Sequence, residues 1–156
     1  MNDEVLAVAR ASVTRRWMGI LMVAAVGVLS LYVAMATPPD LPWLILLVLI
    51  GLAALGLAEM MRRATELAIE LTRDELRDSA GTCIARVDDI EAVERGVLAF
   101  KPSNGFLLRT RTPGARGWRP GIWWRFGRRV GIGGVMPGHQ TKVMAEMLAA
   151  LLAERG

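Results

Sequence analysis

Apolar side chains dominate the first part of the chain, where two long stretches carry almost no charge. Residues 17–36 contain no charged side chain, and residues 42–61 contain only Glu59. Each stretch has 20 residues, and a helix of that length, rising about 1.5 Å per residue, matches the roughly 30 Å hydrocarbon core of a bilayer. Residues 37–42 between them hold three prolines, which predicts a tight turn. The pattern therefore predicts a hairpin of two transmembrane helices.

Positive charge flanks this hairpin on one side only. Residues 1–16 contain three arginines, residues 62–77 contain four, and residues 37–42 contain no Lys or Arg. The positive-inside rule therefore predicts that both termini are cytoplasmic, with 1–16 as an N-terminal segment and 62–156 as a cytoplasmic domain. A second interpretation stays open, because residues 34–36 (AMA) resemble a signal-peptide cleavage site. Cleavage there would leave the second helix and the domain in place.

Beyond the hairpin, solid apolar runs give way to the alternation typical of β-strands. In residues 66–72, Leu67, Ile69 and Leu71 share one face of a strand, although a continuation of the second membrane helix is an alternative. The other predicted strands are residues 82–87, 91–100, 106–112, 118–126 and 129–135. The predicted turns and connections are residues 78–81, 88–90, 101–105 and 112–117.

The last segment, residues 137–155, changes to helical spacing. Its apolar positions are Val143, Met144, Met147, Leu148, Leu151 and Leu152, and Pro137 suits the first turn of a helix. The predicted fold class is a membrane α-helical hairpin plus a small α+β domain. That domain has about six or seven short antiparallel strands and a C-terminal amphipathic helix.

Three segments carry a family resemblance: residues 71–77 (LTRDELR), Gly81, and residues 84–93 (IARVDDIEAV). The order of strand, turn, glycine hairpin and Asp-Ile-x-x-Val resembles the bacterial pleckstrin-homology-like domains of small two-helix membrane proteins, over residues 65–155. The resemblance implies a strongly bent sheet or barrel capped by a final helix, with the membrane hairpin in front. It also implies a non-catalytic binding or scaffolding module in the bacterial plasma membrane, although fold does not fix the ligand.

Charge divides the predicted domain into two halves. Residues 64–94 hold nine acidic and three basic side chains, whereas residues 95–145 hold ten basic and no acidic ones. In a strand over 118–126, alternation would direct one set of side chains to the core, namely Trp118, Ile122, Trp124 and Phe126. The opposite set would face solvent, namely Arg119, Trp123 and Arg125. The predicted partner- or lipid-binding surface is therefore Arg109, Arg111, Arg119, Trp123, Arg125, Arg128 and Arg129.

The basic face has several possible partners. A tryptophan among arginines is typical of an interface anchor, which favours a membrane protein complex or a second copy of the chain. Anionic phospholipid headgroups are the alternative, since each Lys or Arg beside such a surface contributes about 1 kcal/mol. A solvated face without any ligand also stays open. Nucleic acid is disfavoured because the domain is tethered and has no recognition motif.

The sequence offers few groups for catalysis. The glycine-rich residues 127–134 lack the Gly-Lys-Ser/Thr ending of a phosphate loop, so they favour a bulge or bend in a strand. His139 and Cys83 are single, and Asp88 and Asp89 fit a turn. We therefore expect no enzyme activity, cofactor or metal. The expected function is that of a non-enzymatic accessory, assembly or interaction protein, with a tethered anionic-lipid-binding module as the alternative.

Overall fold

The computed structural model describes residues 4–94 and 104–156 of the chain. Within these residues, two long helices follow a first short strand, and six further strands and a final helix complete the domain. The elements are β1 (Ala7–Arg10), α1 (Val13–Ala36), α2 (Leu41–Ala64), β2 (Ala68–Leu71), β3 (Glu75–Asp78), β4 (Cys83–Arg86), a 3-10 turn (Val87–Asp89), β5 (Ile90–Glu94), β6 (Phe106–Arg119), β7 (Trp123–Ile132) and α3 (Gly138–Arg155).

The helices α1 and α2 form an antiparallel hairpin, and each is long and apolar enough to cross a membrane. Most of their large apolar side chains are exposed on the outside of the hairpin. The two helices approach most closely at Gly27 and Gly51, where a Cβ added to Gly27 would lie 2.9 Å from the Gly51 carbonyl oxygen. Small residues permit this close packing of backbones. The prediction of two long apolar helices is confirmed.

Both helices extend past the apolar stretches at the end that carries the arginines. α1 begins at Val13 and α2 continues to Ala64, so each has 24 residues. Glu59 accepts hydrogen bonds from Arg62 at 2.8 Å and from Arg63 at 2.7 Å. Such pairs, three and four residues apart, stabilise exposed helical turns. The charged last turn of α2 is thereby part of the helix.

The first strand was not predicted. β1 pairs antiparallel with β2, with Ala9 opposite Ile69 and Arg10 opposite Ala68. The structure thus differs from the predicted division in which residues 1–16 stand apart from the domain, because the helical hairpin is inserted between two paired strands. Four residues with one fully buried alanine, Ala9, carry too little alternation to be recognised as a strand beside a strongly apolar helix.

The sheets are antiparallel, with strand order β1-β2-β3-β4 in one and β5-β6-β7 in the other. The predicted strands at 66–72 and 82–87 correspond to β2 and β4. The predicted turn at 78–81 is confirmed, since Asp78 Oδ1 accepts hydrogen bonds from the amides of Ala80 and Thr82. The predicted strand 91–100 is described only as far as Glu94. The rest of it, and most of the predicted turn at 101–105, lie outside the described residues.

The predicted connection at residues 112–117 and the predicted single strand at residues 118–126 are both wrong. No connection interrupts residues 112–117, because β6 continues to Arg119, and the chain reverses at residues 120–122 before β7 begins. The pairing of β6 with β7 shifts register between Arg109 and Gly114 and again before Gly117. Bulges of this kind tolerate proline and glycine inside a strand, so these residues bend the ribbon and do not end it.

The core lies between the sheets and α3, in agreement with the predicted C-terminal helix. Met144, Ala145 and Leu148 of α3 are buried against strands from both sheets. Val143 and Met147, which the sequence placed on the same face, are 47% and 39% exposed. The buried face of α3 is therefore narrower than the apolar pattern indicated.

Candidate functional site

The β6–β7 hairpin carries most of the predicted site residues, and its register shows which side chains share a face. Trp118 lies opposite Trp124, and Arg119 lies opposite Trp123. Cross-strand partners point to the same side of a sheet. The predictions that Ile122 is buried and that Arg119 is exposed are confirmed, but the predicted positions of the tryptophans are reversed. Trp123 is 5% exposed and belongs to the core, whereas Trp118 is 53% exposed. The prediction that Trp123 is a surface anchor is therefore wrong.

Glycine explains why Trp123 turns inward. A Cβ on Gly117 would lie 2.5 Å and 2.7 Å from carbons of the Trp123 ring, so the indole occupies the space that a side chain at this position would need. The Trp123 Nε1 is buried and has no hydrogen-bond partner among the described residues. The contact between Gly117 and the Trp123 ring depends on the turn at 120–122, which the predicted single strand 118–126 did not include.

Arg125 and Arg128 form hydrogen bonds that hold the hairpin in place, and the Arg128 side chain is at the same time 53% exposed. The Arg125 guanidinium covers Gly114 and donates to the Ile84 carbonyl oxygen at 2.6 Å, which links β7 to β4. Arg128 Nε donates to the Thr110 carbonyl oxygen at 2.9 Å, and its Nη2 lies 3.3 Å from a Glu91 carboxylate oxygen. These contacts bridge backbone groups across the bent ribbon, which gives both arginines a structural role.

Five of the predicted arginines are exposed, namely Arg109, Arg111, Arg119, Arg128 and Arg129. Arg109 and Arg129 are direct cross-strand partners. Arg109 lies 3.5 Å from Glu94, whereas Arg111, Arg119 and Arg129 make no ion pair with the described part of the chain. Like charges directly opposite each other are destabilising. The pair therefore favours binding of a negatively charged group.

An aromatic patch that the sequence assigned to the core is exposed beside these arginines. We define it as Trp118, Trp124 and Phe126. Phe126 is 55% exposed, and its ring centroid lies 5.6 Å from that of Trp124. The Trp124 ring also lies against Gly131. The patch could have been found from the sequence only by placing the turn at Gly121, which would have paired Trp118 with Trp124.

The turn of this hairpin contacts the ends of both long helices. A Cβ on Gly121 would lie 3.1 Å from Thr65 Cγ2 and 3.4 Å from Met61 Cε at the end of α2. The Gly121 carbonyl oxygen accepts a hydrogen bond of 3.0 Å from the amide of Val135, and Val135 packs against Gly19 of α1. The aromatic patch thus begins directly beside the base of the helical hairpin.

Arg16 fixes the helical hairpin to the domain. Its guanidinium donates to Thr65 Oγ1 at 2.9 Å, to the Arg62 carbonyl oxygen at 3.1 Å and to a Glu66 carboxylate oxygen at 3.3 Å. Its side chain is only 19% exposed. Together with the pairing of β1 and β2, these bonds make the helices and the domain one folded unit.

Other groups with potential chemistry are not assembled into a site. Cys83 and His139 are exposed. Partial burial, followed by the neighbouring Glu75 carboxylate, raises the pKa of the Cys83 thiol above its ordinary value, which disfavours the reactive thiolate. In the described residues, no three His, Cys, Asp or Glu side chains are grouped so that they could hold a metal ion. The glycines of 127–134 form a bulge and a turn, with φ of 60° at Gly127 and 98° at Gly134.

Comparisons with protein-family models, with curated proteins and with solved structures found no match for this chain. The arginine surface and the aromatic patch therefore have to be interpreted from their own geometry and chemistry.

Proposed function

We propose that this chain is a non-enzymatic accessory or assembly protein of the bacterial plasma membrane. In this proposal α1 and α2 span the bilayer, both termini are cytoplasmic, and a pleckstrin-homology-like domain binds a membrane protein partner. One observation carries the proposal: the helical hairpin is inserted between β1 and β2, which pair directly. The domain is consequently held at a fixed position beside the membrane, where a scaffolding module would meet such a partner.

The order of elements supports the pleckstrin-homology-like assignment. Four antiparallel strands, three further antiparallel strands and a final helix follow one another along the chain, as the resemblance implies. The hairpin departs from the expected pattern, since it follows the first strand and does not precede the domain. This departure leaves the core intact because β1 and β2 meet at the base of the helices.

Exposed arginines indicate the chemistry of the partner. Arg109 and Arg129 face each other across β6 and β7, and only Glu94 lies near one of them in the described residues. An acidic surface on a partner would relieve their mutual repulsion, and such complementary charges accelerate association and select the partner. The favoured partner is therefore a membrane protein with an acidic cytoplasmic surface.

A paired charge-reversal experiment tests this function. The full-length protein is crosslinked in its native membrane and purified in mild detergent, and the membrane protein that co-purifies is quantified for two double variants. Arg109→Glu with Arg129→Glu should lose the partner. Arg73→Glu with Lys142→Glu makes the same change of charge at two exposed positions elsewhere and should retain it. Equal recovery with both double variants would refute a role for the arginine surface.

A further inference from the structure

The aromatic patch of Trp118, Trp124 and Phe126 is a feature of the domain that the proposed partner binding does not use. Two of its rings are more than half exposed, and they line an apolar cleft of about 420 Å³. Large exposed apolar groups clustered on one surface mark an interaction site. The position of the patch relative to the helices indicates what covers it.

The patch is close to the level at which the helices leave the bilayer. Trp118 and Trp124 are each three residues from Gly121, which packs against Met61 and Thr65 at the end of α2. A strand rises about 3.4 Å per residue, so the α-carbons of both tryptophans lie within about 10 Å of that contact. The polar layer on each side of a bilayer is about 5–7 Å thick. The patch is therefore within reach of the membrane surface.

The chemistry of the patch also matches the membrane interface. Indole rings favour the headgroup region because they combine a large apolar body with one polar N–H group. Arg119, next to Trp118, is exposed and can reach a phosphate group. The described residues from 104 to 145, which include the patch, contain no acidic side chain.

From this geometry we infer that Trp118, Trp124 and Phe126 insert into the interfacial layer of the same membrane that α1 and α2 span. The domain then lies against the bilayer along the β6–β7 hairpin, attached both through the helices and through the aromatic side chains. The occupant of the patch is lipid, and the attraction is mainly apolar. This inference requires that the helices span the membrane, and it is independent of whether Arg109 and Arg129 bind a partner.

Fluorescent labels in the full-length protein test this inference without any partner present. In a Cys83→Ser background, Phe126→Cys is labelled with an environment-sensitive fluorophore and reconstituted into phosphatidylcholine vesicles. The matched control is Arg73→Cys, an exposed position in the turn between β2 and β3, at the end of β2 that points away from α2. A fraction of the lipid carries a nitroxide quencher close to the headgroup.

The inference predicts blue-shifted emission and strong quenching for the label at position 126, and neither for the label at position 73. Both effects should persist in high salt, because apolar insertion into a zwitterionic bilayer is not screened. Adding Trp118→Ser should reduce the quenching at position 126.

Equal quenching at the two positions, or none at position 126, would overturn the inference. So would a label at position 126 that is solvent-exposed in lipid vesicles and becomes buried only when native membrane proteins are present, since the patch would then be a protein interface. Loss of quenching in high salt would also overturn it, because the arginines and not the aromatic rings would then hold the domain to the membrane.

Discussion

Deleting β1 should destabilise the domain although the strand has only four residues. β1 pairs with β2 through four residue pairs, and Ala9 of β1 is fully buried. An antiparallel pairing of this length makes about four inter-strand hydrogen bonds, each with a net value of about 1 kcal/mol. The loss is therefore about 4 kcal/mol, a large share of the 5–15 kcal/mol typical of such a domain. At this size it corresponds to a fall of about 20–30 °C in the thermal midpoint.

Two soluble proteins make this prediction measurable. One is residues 64–156 alone. The other joins residues 4–11 directly to residues 67–156 through two glycines, which replaces the helical hairpin with a loop of four residues between Arg10 and Ala68. Arg10 and Ala68 are cross-strand partners, about 5 Å apart, and connections of two to five residues are usual for a β-hairpin. The free energy of unfolding is then obtained from urea titrations followed by circular dichroism.

The joined protein should be more stable than residues 64–156 by about 4 kcal/mol. Within the joined protein, Ala9→Asp should remove most of this difference because the charge would enter the core. Val8→Asp is the matched control, since Val8 is 40% exposed in the same strand. Equal stability of the two proteins, or equal effects of the two aspartates, would refute the assignment of β1 to the sheet.

Two further predictions concern the core of the joined protein. Leu148→Asp should lower the free energy of unfolding by about 4 kcal/mol or more, because an unpaired carboxylate would enter the contact between α3 and the sheets. Val143→Asp, at an exposed position of the same helix, should have little effect in the same urea titration. Gly117→Val should lower the free energy of unfolding by about 1–3 kcal/mol, because the new side chain would displace the Trp123 ring. Ala115→Val, at an exposed position of β6, should leave the thermal midpoint nearly unchanged, and equal losses for the two valine variants would contradict the packing of Trp123.

Periodicity in the sequence was sufficient to predict an element where that element carries a long and uniform apolar pattern. The two long apolar helices and α3 were predicted within a few residues, since 20 almost entirely apolar residues or five turns of a helix produce a strong periodic signal. β1 was missed because one buried position, Ala9, does not define a period. The observed α1 and α2 are longer than predicted because arginines continue each helix beyond its apolar stretch, and in α2 these arginines pair with Glu59.

The pairing of β6 with β7 determines which side chains of the candidate site are exposed, and this pairing could not be inferred from local sequence patterns. Pro113, Gly114 and Gly117 are typical of a connection, yet they occupy bulges in β6 that bend the ribbon. Because the chain reverses at residues 120–122, Trp123 lies in the core and Trp118 is exposed, opposite to the prediction for these two side chains. A shift of register by one position always has this consequence in a strand. The arginines were predicted as a group, but only the structure separates those that bridge backbone groups from those that are free.

The central claim is that α1 and α2 cross the bilayer and hold the domain on its cytoplasmic side. Single cysteines in a Cys83→Ser background test it directly in intact spheroplasts, with a thiol reagent that does not cross membranes. Asp40→Cys lies in the exposed turn between the helices, and Arg73→Cys lies in the domain. The account predicts that position 40 is labelled in intact spheroplasts and that position 73 is labelled only after lysis. Labelling of position 73 in intact spheroplasts, with position 40 protected, would contradict the orientation, and labelling of neither or both before lysis would contradict a hairpin that spans the membrane.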